Sequence, residues 1–289
     1  MSMRSTTSTT RQQTSTTTFG DVAYLETGRG PVAVFIHGVF LNADLWRHQL
    51  SGLGDVRRCL AVDLLAHGDS PYSGDGELTM TNQADLVIEF LDSLGLDSVD
   101  LIGNDSGGAI AQLVVSRIPG RIRTLTLTNC DVDENCPPAA FAPIHELARQ
   151  GELAAALMAL ASDPESARSS LASGLERPDD LSDEMIAGFL GPLASSVARA
   201  TAIQGYVAGM DSDPMVAIRP DLATFDSPTL IVWGTGDEFF DIAWAHWLAA
   251  TIPGTVTCIE LEGAKLFFPL ERPAELNQAL RDLWTGAGG

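Results

Sequence analysis

The segment Val99-Asp-Leu-Ile-Gly-Asn-Asp-Ser-Gly-Gly108 constrains this chain more than any other. A short apolar run suited to a buried strand ends in a polar residue with glycines two positions before and two after it. An amphipathic helical pattern then runs from Gly107 to Arg117. Small residues at those two flanks permit a strained turn that lifts one side chain above the end of a sheet. The glycines at 103 and 107 centre that turn on Asp105; centring it on Ser106 puts Asn104 at a flank and fits worse. The Ser106 N–H then opens a helix, where it can stabilise negative charge. A simpler alternative is that Asp105 only caps that helix.

The rest of the chain repeats the strand-then-helix rhythm. Strand patterns fall at Asp21–Thr27, Val32–His37, Arg58–Leu64, Val99–Asn104, Ile122–Asn129, Pro228–Trp233 and Thr255–Leu261, and helical patterns at Thr81–Leu94, Gly107–Arg117 and Ala243–Ile252. Such alternation predicts βαβ units and a largely parallel sheet. Residues 134–222 break the rhythm: they are Ala/Leu-rich, helical throughout and without a strand signal. An all-helical insertion of this kind reads as a cap over the carboxyl ends of the strands, where open α/β sheets bind ligands. Residues 1–15 are Ser/Thr/Gln-rich and are expected to form a disordered arm, with the core built from 16–133 and 223–289.

Charge narrows the partners. Seventeen basic and 38 acidic residues give 17 − 38 = −21, a balance that repels phosphate backbones and anionic membranes. No nucleic acid and no membrane is therefore expected as a partner, but a small-molecule substrate is; a homo-oligomer stays open. No apolar run approaches the ~20 residues of a membrane span. The N-terminus lacks the apolar core of a secretory signal. Cys59, Cys130, Cys136 and Cys258 are spaced neither as zinc ligands nor as a disulfide framework, so a cytoplasmic location is expected.

Four further motifs accompany the Asp105 turn. They are FIHG at Phe35–Gly38, AVDLLAHGDS at Ala61–Ser70, VWGTGDEFF at Val232–Phe240 and GAKLFFPLERPAEL at Gly263–Leu276. Together they resemble the α/β-hydrolase superfamily over nearly the whole chain, and Asp105 resembles the aspartate nucleophile of haloalkane dehalogenases and epoxide hydrolases. The resemblance implies an α/β-hydrolase fold: an eight-stranded, mostly parallel sheet with an inserted helical cap. It implies an oxyanion loop at His37, Gly38 and Val39, with the Val39 and Ser106 N–H groups as donors. It places the triad acid at Asp237, with Asp131 and Asp133 at the position some relatives use instead. In AVDLLAHGDS an alanine, Ala66, stands where the family's first glycine usually sits.

The last motif departs from the family. Aligning Pro269, Glu271 and Pro273 with the family's P-x-E-x-P puts Leu266 in the slot of the catalytic histidine, and no histidine occurs after His246. Leucine cannot accept a proton. Alkylation of an ionised carboxylate needs no base, but hydrolysis of the resulting ester gains about 10²–10⁴-fold from one. Finer signatures are also absent. Ser106 replaces the halide-binding Trp that usually follows the nucleophile, Val39 stands where a halide-binding Asn is common, and Tyr206 is the sole tyrosine of the cap. No arginine neighbours the nucleophile, as it does in fluoroacetate-type dehalogenases.

Several readings of Leu266 stay open: a substitution that traps the intermediate, a natural non-hydrolytic reaction (lyase, isomerase or cyclase) with Asp105 as acid or base, a slow hydrolase with a relocated base, or a non-catalytic ligand-binding protein. Lys265 and His145 are the candidates for a relocated base, and a solvated surface residue is the plainer reading of each. Asn104 and Trp46 are expected to border the pocket or to pack beneath it. Asp237 otherwise caps the next helix or pairs with Lys265. The reading that results is a cofactor-independent, metal-free enzyme. It acts on a small or medium-sized apolar molecule, with hydrolysis at an epoxide or carbon–halogen carbon through an Asp105 ester as the leading reaction.

Overall fold

The computed structural model describes residues 10–72 and 78–286. Eight strands form one sheet: β1 (Arg11–Thr17), β2 (Gly20–Gly28), β3 (Val32–Ile36), β4 (Arg58–Val62), β5 (Val99–Asp105), β6 (Ile122–Cys130), β7 (Thr229–Gly234) and β8 (Thr255–Leu261). Their spatial order is β1-β2-β4-β3-β5-β6-β7-β8. From β4 to β8 every neighbouring pair is parallel, while β2 runs antiparallel to both β1 and β4.

This topology decides where a ligand sits. From β3 the chain moves one way to β4 and the other way to β5, so the order reverses between β3 and β5. Ligands of open α/β sheets bind beyond the carboxyl ends of the strands at such a reversal. The loop after β3 and the turn after β5 both emerge there. The central strands β3 and β5 are buried at every residue, which explains their continuous apolar runs.

The expected strands and helices are all present, with boundaries within a few residues. One correction concerns the arm. Residues 11–15 are not disordered but belong to β1, which pairs with β2 from Arg11 opposite Glu26 to Thr17 opposite Gly20. An edge strand is held mainly by backbone hydrogen bonds and needs no apolar periodicity, so its Ser/Thr/Gln composition hid it. Residues 1–9 lie outside the described residues.

Between β6 and β7 the described chain is helical, and five of its helices exceed seven residues: Ala142–Arg149, Leu153–Leu160, Pro164–Leu171, Asp183–Leu193 and Val197–Ala208. Side-chain caps explain three of the starts: Asp163, Ser182 and Ser196 each accept from an N–H three residues on. This helical insertion is tied back to the sheet domain. Phe267 N–H donates to the Gly174 carbonyl (2.8 Å), Asn42 Nδ2 to the Gly188 carbonyl (2.7 Å) and Arg199 to the Gly68 carbonyl (2.9 Å). Among the described residues no single helix is long and apolar enough to cross a membrane.

Candidate active site

Asp105 ends β5 with φ +57° and ψ −135°, a conformation that costs a non-glycine residue about 1–3 kcal/mol. Its side chain makes no capping hydrogen bond to the helix Ser106–Arg117, so the simple cap alternative fails. The glycines around it are required by close approach. A Cβ on Gly103 would stand 2.5 Å from the Gly107 carbonyl oxygen, and one on Gly107 2.4 Å from the carbonyl oxygen of His37. A Cβ on Gly38 would stand 2.1 Å from Oδ2 of Asp105 itself. The turn is therefore centred on Asp105, and the loop after β3 leaves room for its carboxyl.

That loop is fixed from both sides. His37 is fully buried and has no route to the cavity: its Nδ1 donates to the Gly38 carbonyl (2.8 Å) and its Nε2 accepts the Leu64 N–H (3.1 Å). This bonding requires a neutral imidazole, and burial together with neighbouring His67 pushes its pKa well below the usual value. Val39 N–H donates to Ser106 Oγ (2.9 Å), joining loop to turn. The N–H groups of Val39 and Ser106 also act on the Asp105 carboxyl, favouring its charged form. Ala66 takes φ +64°, adopting the left-handed backbone for which a glycine would be the ordinary choice.

Over this floor lies a cavity with an empty volume of about 550 Å³, its open mouth included. The sheet domain contributes Val39, Phe40, Asp105, Asp131, Phe239, Phe240, Leu266 and Phe267, and the insertion Phe141, Ile144, Leu171 and Met210. The wall is thus mostly apolar, with two carboxyls and, on the insertion side, Ser170 and Ser173 as its polar residues, a composition suited to largely apolar small molecules.

The other predicted residues divide sharply. Leu266 lines the cavity, 4 % exposed, and its carbonyl accepts from Asn104 Nδ2 (3.1 Å). Asn104 also donates to Thr128, so it positions the Leu266 loop against β6 and does not face the ligand. Trp46 is corrected to a packing residue: it is buried under β3 against Phe35, with ring centroids 5.3 Å apart. Tyr206 is fully buried, its hydroxyl turned to Ser106 and its ring edge-on to His67 (6.2 Å), and it does not line the cavity. His145 points at the insertion itself, Nε2 donating to the Ala208 carbonyl (3.2 Å). Lys265 is held at the surface by Glu238 (2.7 Å). Neither relocated-base candidate faces Asp105.

Asp237 neither caps the helix Ile242–Thr251, whose cap is Asp241, nor pairs with Lys265. Its carboxylate accepts from Asn129 Nδ2 (2.6 Å) and from Phe239 N–H (2.8 Å), and burial pushes its pKa up to about 6. Asp131, given little weight in the sequence, lies on the cavity wall just beyond β6. It is 1 % exposed and its Oδ1 has no hydrogen-bond partner. Burial pushes it up to about 7, opposed by a hydrogen bond from the Cys136 thiol. Asp105 is pushed well above the ordinary carboxylate range by burial first and by the Asp131 charge second. Asp133 is turned away, bridged to Arg219 (2.7 Å). Sequence reasoning also missed the aromatic wall, because no spacing rule says which loop phenylalanines turn inward.

These raised carboxyls give a pH signature. Each holds its proton more tightly in the folded than in the unfolded chain, whose carboxylates titrate near ~3.9. The stability they confer is therefore full below that value and is lost as pH rises through about 6 for Asp63 and Asp237 and about 7 for Asp131. Asp131→Asn should match the wild type in Tm at pH 4 and exceed it by several degrees at pH 8. Thermal melts across that range check this; a variant that loses stability at pH 8 would show that the Asp131 carboxylate is stabilising.

A strained aspartate ends the central strand of a mostly parallel α/β sheet where the strand order reverses, close to the Val39 and Ser106 N–H groups, beneath a helical insertion. The chain belongs to the alpha/beta hydrolase family, whose model matches residues 33–279. It is similar to haloalkane dehalogenase of Agrobacterium fabrum, 39% identical over 101 residues, which are 35% of this chain and 33% of the relative. It is also similar to haloalkane dehalogenase 2 of Mycobacterium tuberculosis, 28% identical over 278 residues and 90% of each chain. Among solved structures, haloalkane dehalogenase DbeA from Bradyrhizobium elkani superposes with a TM-score of 0.82 at 22% identity, covering 97% of this chain and 99% of that one. Epoxide hydrolase CorEH superposes at 0.81 and 19% identity, covering 96% and 99%.

Proposed function

We propose that this protein hydrolyses a small or medium-sized apolar substrate at an electrophilic carbon, of the epoxide or carbon–halogen kind, through an ester on Asp105. In the first step an Asp105 carboxylate oxygen attacks the carbon, and the carbon–halogen or carbon–oxygen bond breaks with its electrons going to the halide or the epoxide oxygen. Water then adds to the ester carbonyl of Asp105. The charge that develops on the carbonyl oxygen falls where the Val39 and Ser106 N–H groups act. The observation that carries this reading is the Asp105 carboxyl itself, exposed to an apolar cavity in a strained turn. The similarity to haloalkane dehalogenases over 90% of the chain supports it.

The test is intact-protein mass spectrometry on samples acid-quenched after exposure to 1-bromohexane, styrene oxide and a panel of their homologues. Wild-type protein should gain one alkyl or hydroxyalkyl mass, and Asp105→Asn none. No added mass and no alcohol or diol released across the panel removes the ester mechanism. A second reading, proton transfer by Asp105 in a non-hydrolytic reaction, is favoured by one observation: Asp105 and Asp131 both hold protons far more tightly than ordinary carboxyls. That reading expects a reaction abolished by Asp105→Asn in which no ester ever forms.

A further inference from the structure

Leucine at 266 leaves the ester of the proposed reaction without its usual base, and Lys265 and His145 are committed elsewhere. One group on the cavity wall is not committed. Asp131 is 1 % exposed, lines the same cavity as Asp105 and Leu266, and carries a carboxyl oxygen with no hydrogen-bond partner. A buried, unpartnered carboxyl oxygen is costly, and a structure that keeps one calls for an explanation such as a bound water or a catalytic role. Its backbone is firmly placed: Gln112 Nε2 donates to the Asp131 carbonyl (2.9 Å). Asp237, by contrast, has both oxygens occupied, by Asn129 and by Phe239.

We propose that Asp131 is the general base that activates water against the Asp105 ester, acting directly from the cavity wall without a histidine between them. This rests on the ester reading. The Asp131 carboxylate takes a proton from water as the hydroxide oxygen bonds to the Asp105 carbonyl carbon. The tetrahedral intermediate then collapses: the bond from that carbon to the former Asp105 oxygen now carried by the substrate breaks, the proton passes from Asp131 to the departing alkoxide, and the new Asp105 carboxylic acid releases the remaining water proton to solvent. The product is an alcohol, Asp105 is a carboxylate again, and one of its oxygens comes from water. Formation of the ester also cancels the Asp105 charge beside Asp131, so Asp131 ionises more readily at the stage where a base is needed. A base that titrates near neutral pH is well matched to the task. Leu266 fills the histidine slot as part of the apolar wall.

The experiment compares wild type, Asp131→Asn and Asp105→Asn with 1-bromohexane and styrene oxide, following ester mass and alcohol or diol release after rapid acid quench. A single turnover in ¹⁸O-water is followed by mass analysis of the peptide holding residue 105. Wild type should release product and acquire ¹⁸O at Asp105. Asp131→Asn should form the ester at a comparable or faster rate, release it about 10²–10⁴-fold more slowly, and accumulate it. Ester that forms in Asp131→Asn and is released at the wild-type rate overturns the base role and leaves the ester reading standing. So does wild-type ester that persists as long as the variant's. No ester in any protein and no label at Asp105 overturns both. A circular-dichroism melt of Asp131→Asn confirms that the comparison is between folded proteins.

Discussion

Gly107→Ala should cost this protein about 3 kcal/mol or more, a fall in Tm of roughly 10 °C, or prevent it from accumulating as a folded chain. The added methyl would stand 2.4 Å from the His37 carbonyl oxygen and 2.5 Å from that of Ile36. Both are backbone atoms at the end of β3, held in register with β4 and β5, so neither can yield as a flexible side chain would. Relief requires the helix Ser106–Arg117 to lift off the sheet, which would also carry the Ser106 N–H away from Asp105. Gly205→Ala provides the contrast. Gly205 lies in the helix Val197–Ala208 with nothing within 4 Å of its added Cβ, so alanine should gain up to about 1 kcal/mol through helix propensity alone. Thermal or urea melts of the pair test the geometry. A Gly107→Ala protein as stable as the wild type would show that the turn does not pack as described.

Ester formation on Asp105 should rise with pH above the range in which an ordinary carboxyl is already ionised, by about tenfold per unit for as long as the carboxyl stays mostly protonated. Only the carboxylate attacks carbon, and burial plus the Asp131 charge keep Asp105 protonated well above the ordinary range. A carboxylate of ordinary pKa near ~3.9 would give a flat profile over the same interval. Asp131→Asn removes one of the two causes, so its profile should move to lower pH and its ester should form faster at pH 7. Asp237 remains as a weaker third source of repulsion, and the Val39 and Ser106 N–H groups oppose all three. The measurement is the ester-forming rate with 1-bromohexane from pH 5 to 9, in wild type and variant. A flat wild-type profile would mean that Asp105 is ionised throughout and that the two carboxyls do not interact.

Much of this site is legible in the sequence. The Asp105 turn followed from two glycines bracketing a polar residue after an apolar strand, because no other arrangement places both glycines at the close contacts that β3 and the following helix impose. Strand β1 was hidden because backbone pairing at a sheet edge leaves no side-chain periodicity. For Trp46 the sequence left open whether it borders the pocket or packs, and both it and the cap tyrosine Tyr206 pack in the interior, since a residue's distance from a motif along the chain says nothing of which way its ring turns.

The sequence by itself determined the α/β order, the aspartate at the turn and the leucine at 266, all of which depend on residue identity and local spacing. Only the tertiary structure decided which carboxyl stands beside Asp105. Asp131, Asp133 and Asp237 are equally acidic and similarly close to strand ends in the sequence. Folding turns Asp133 out to Arg219, binds Asp237 to Asn129, and leaves Asp131 on the cavity wall with an open oxygen. The physical reason is that charge, burial and hydrogen bonding depend on neighbours brought together from distant parts of the chain, and those neighbours decide whether a carboxyl is a structural tie or a group free to take a proton.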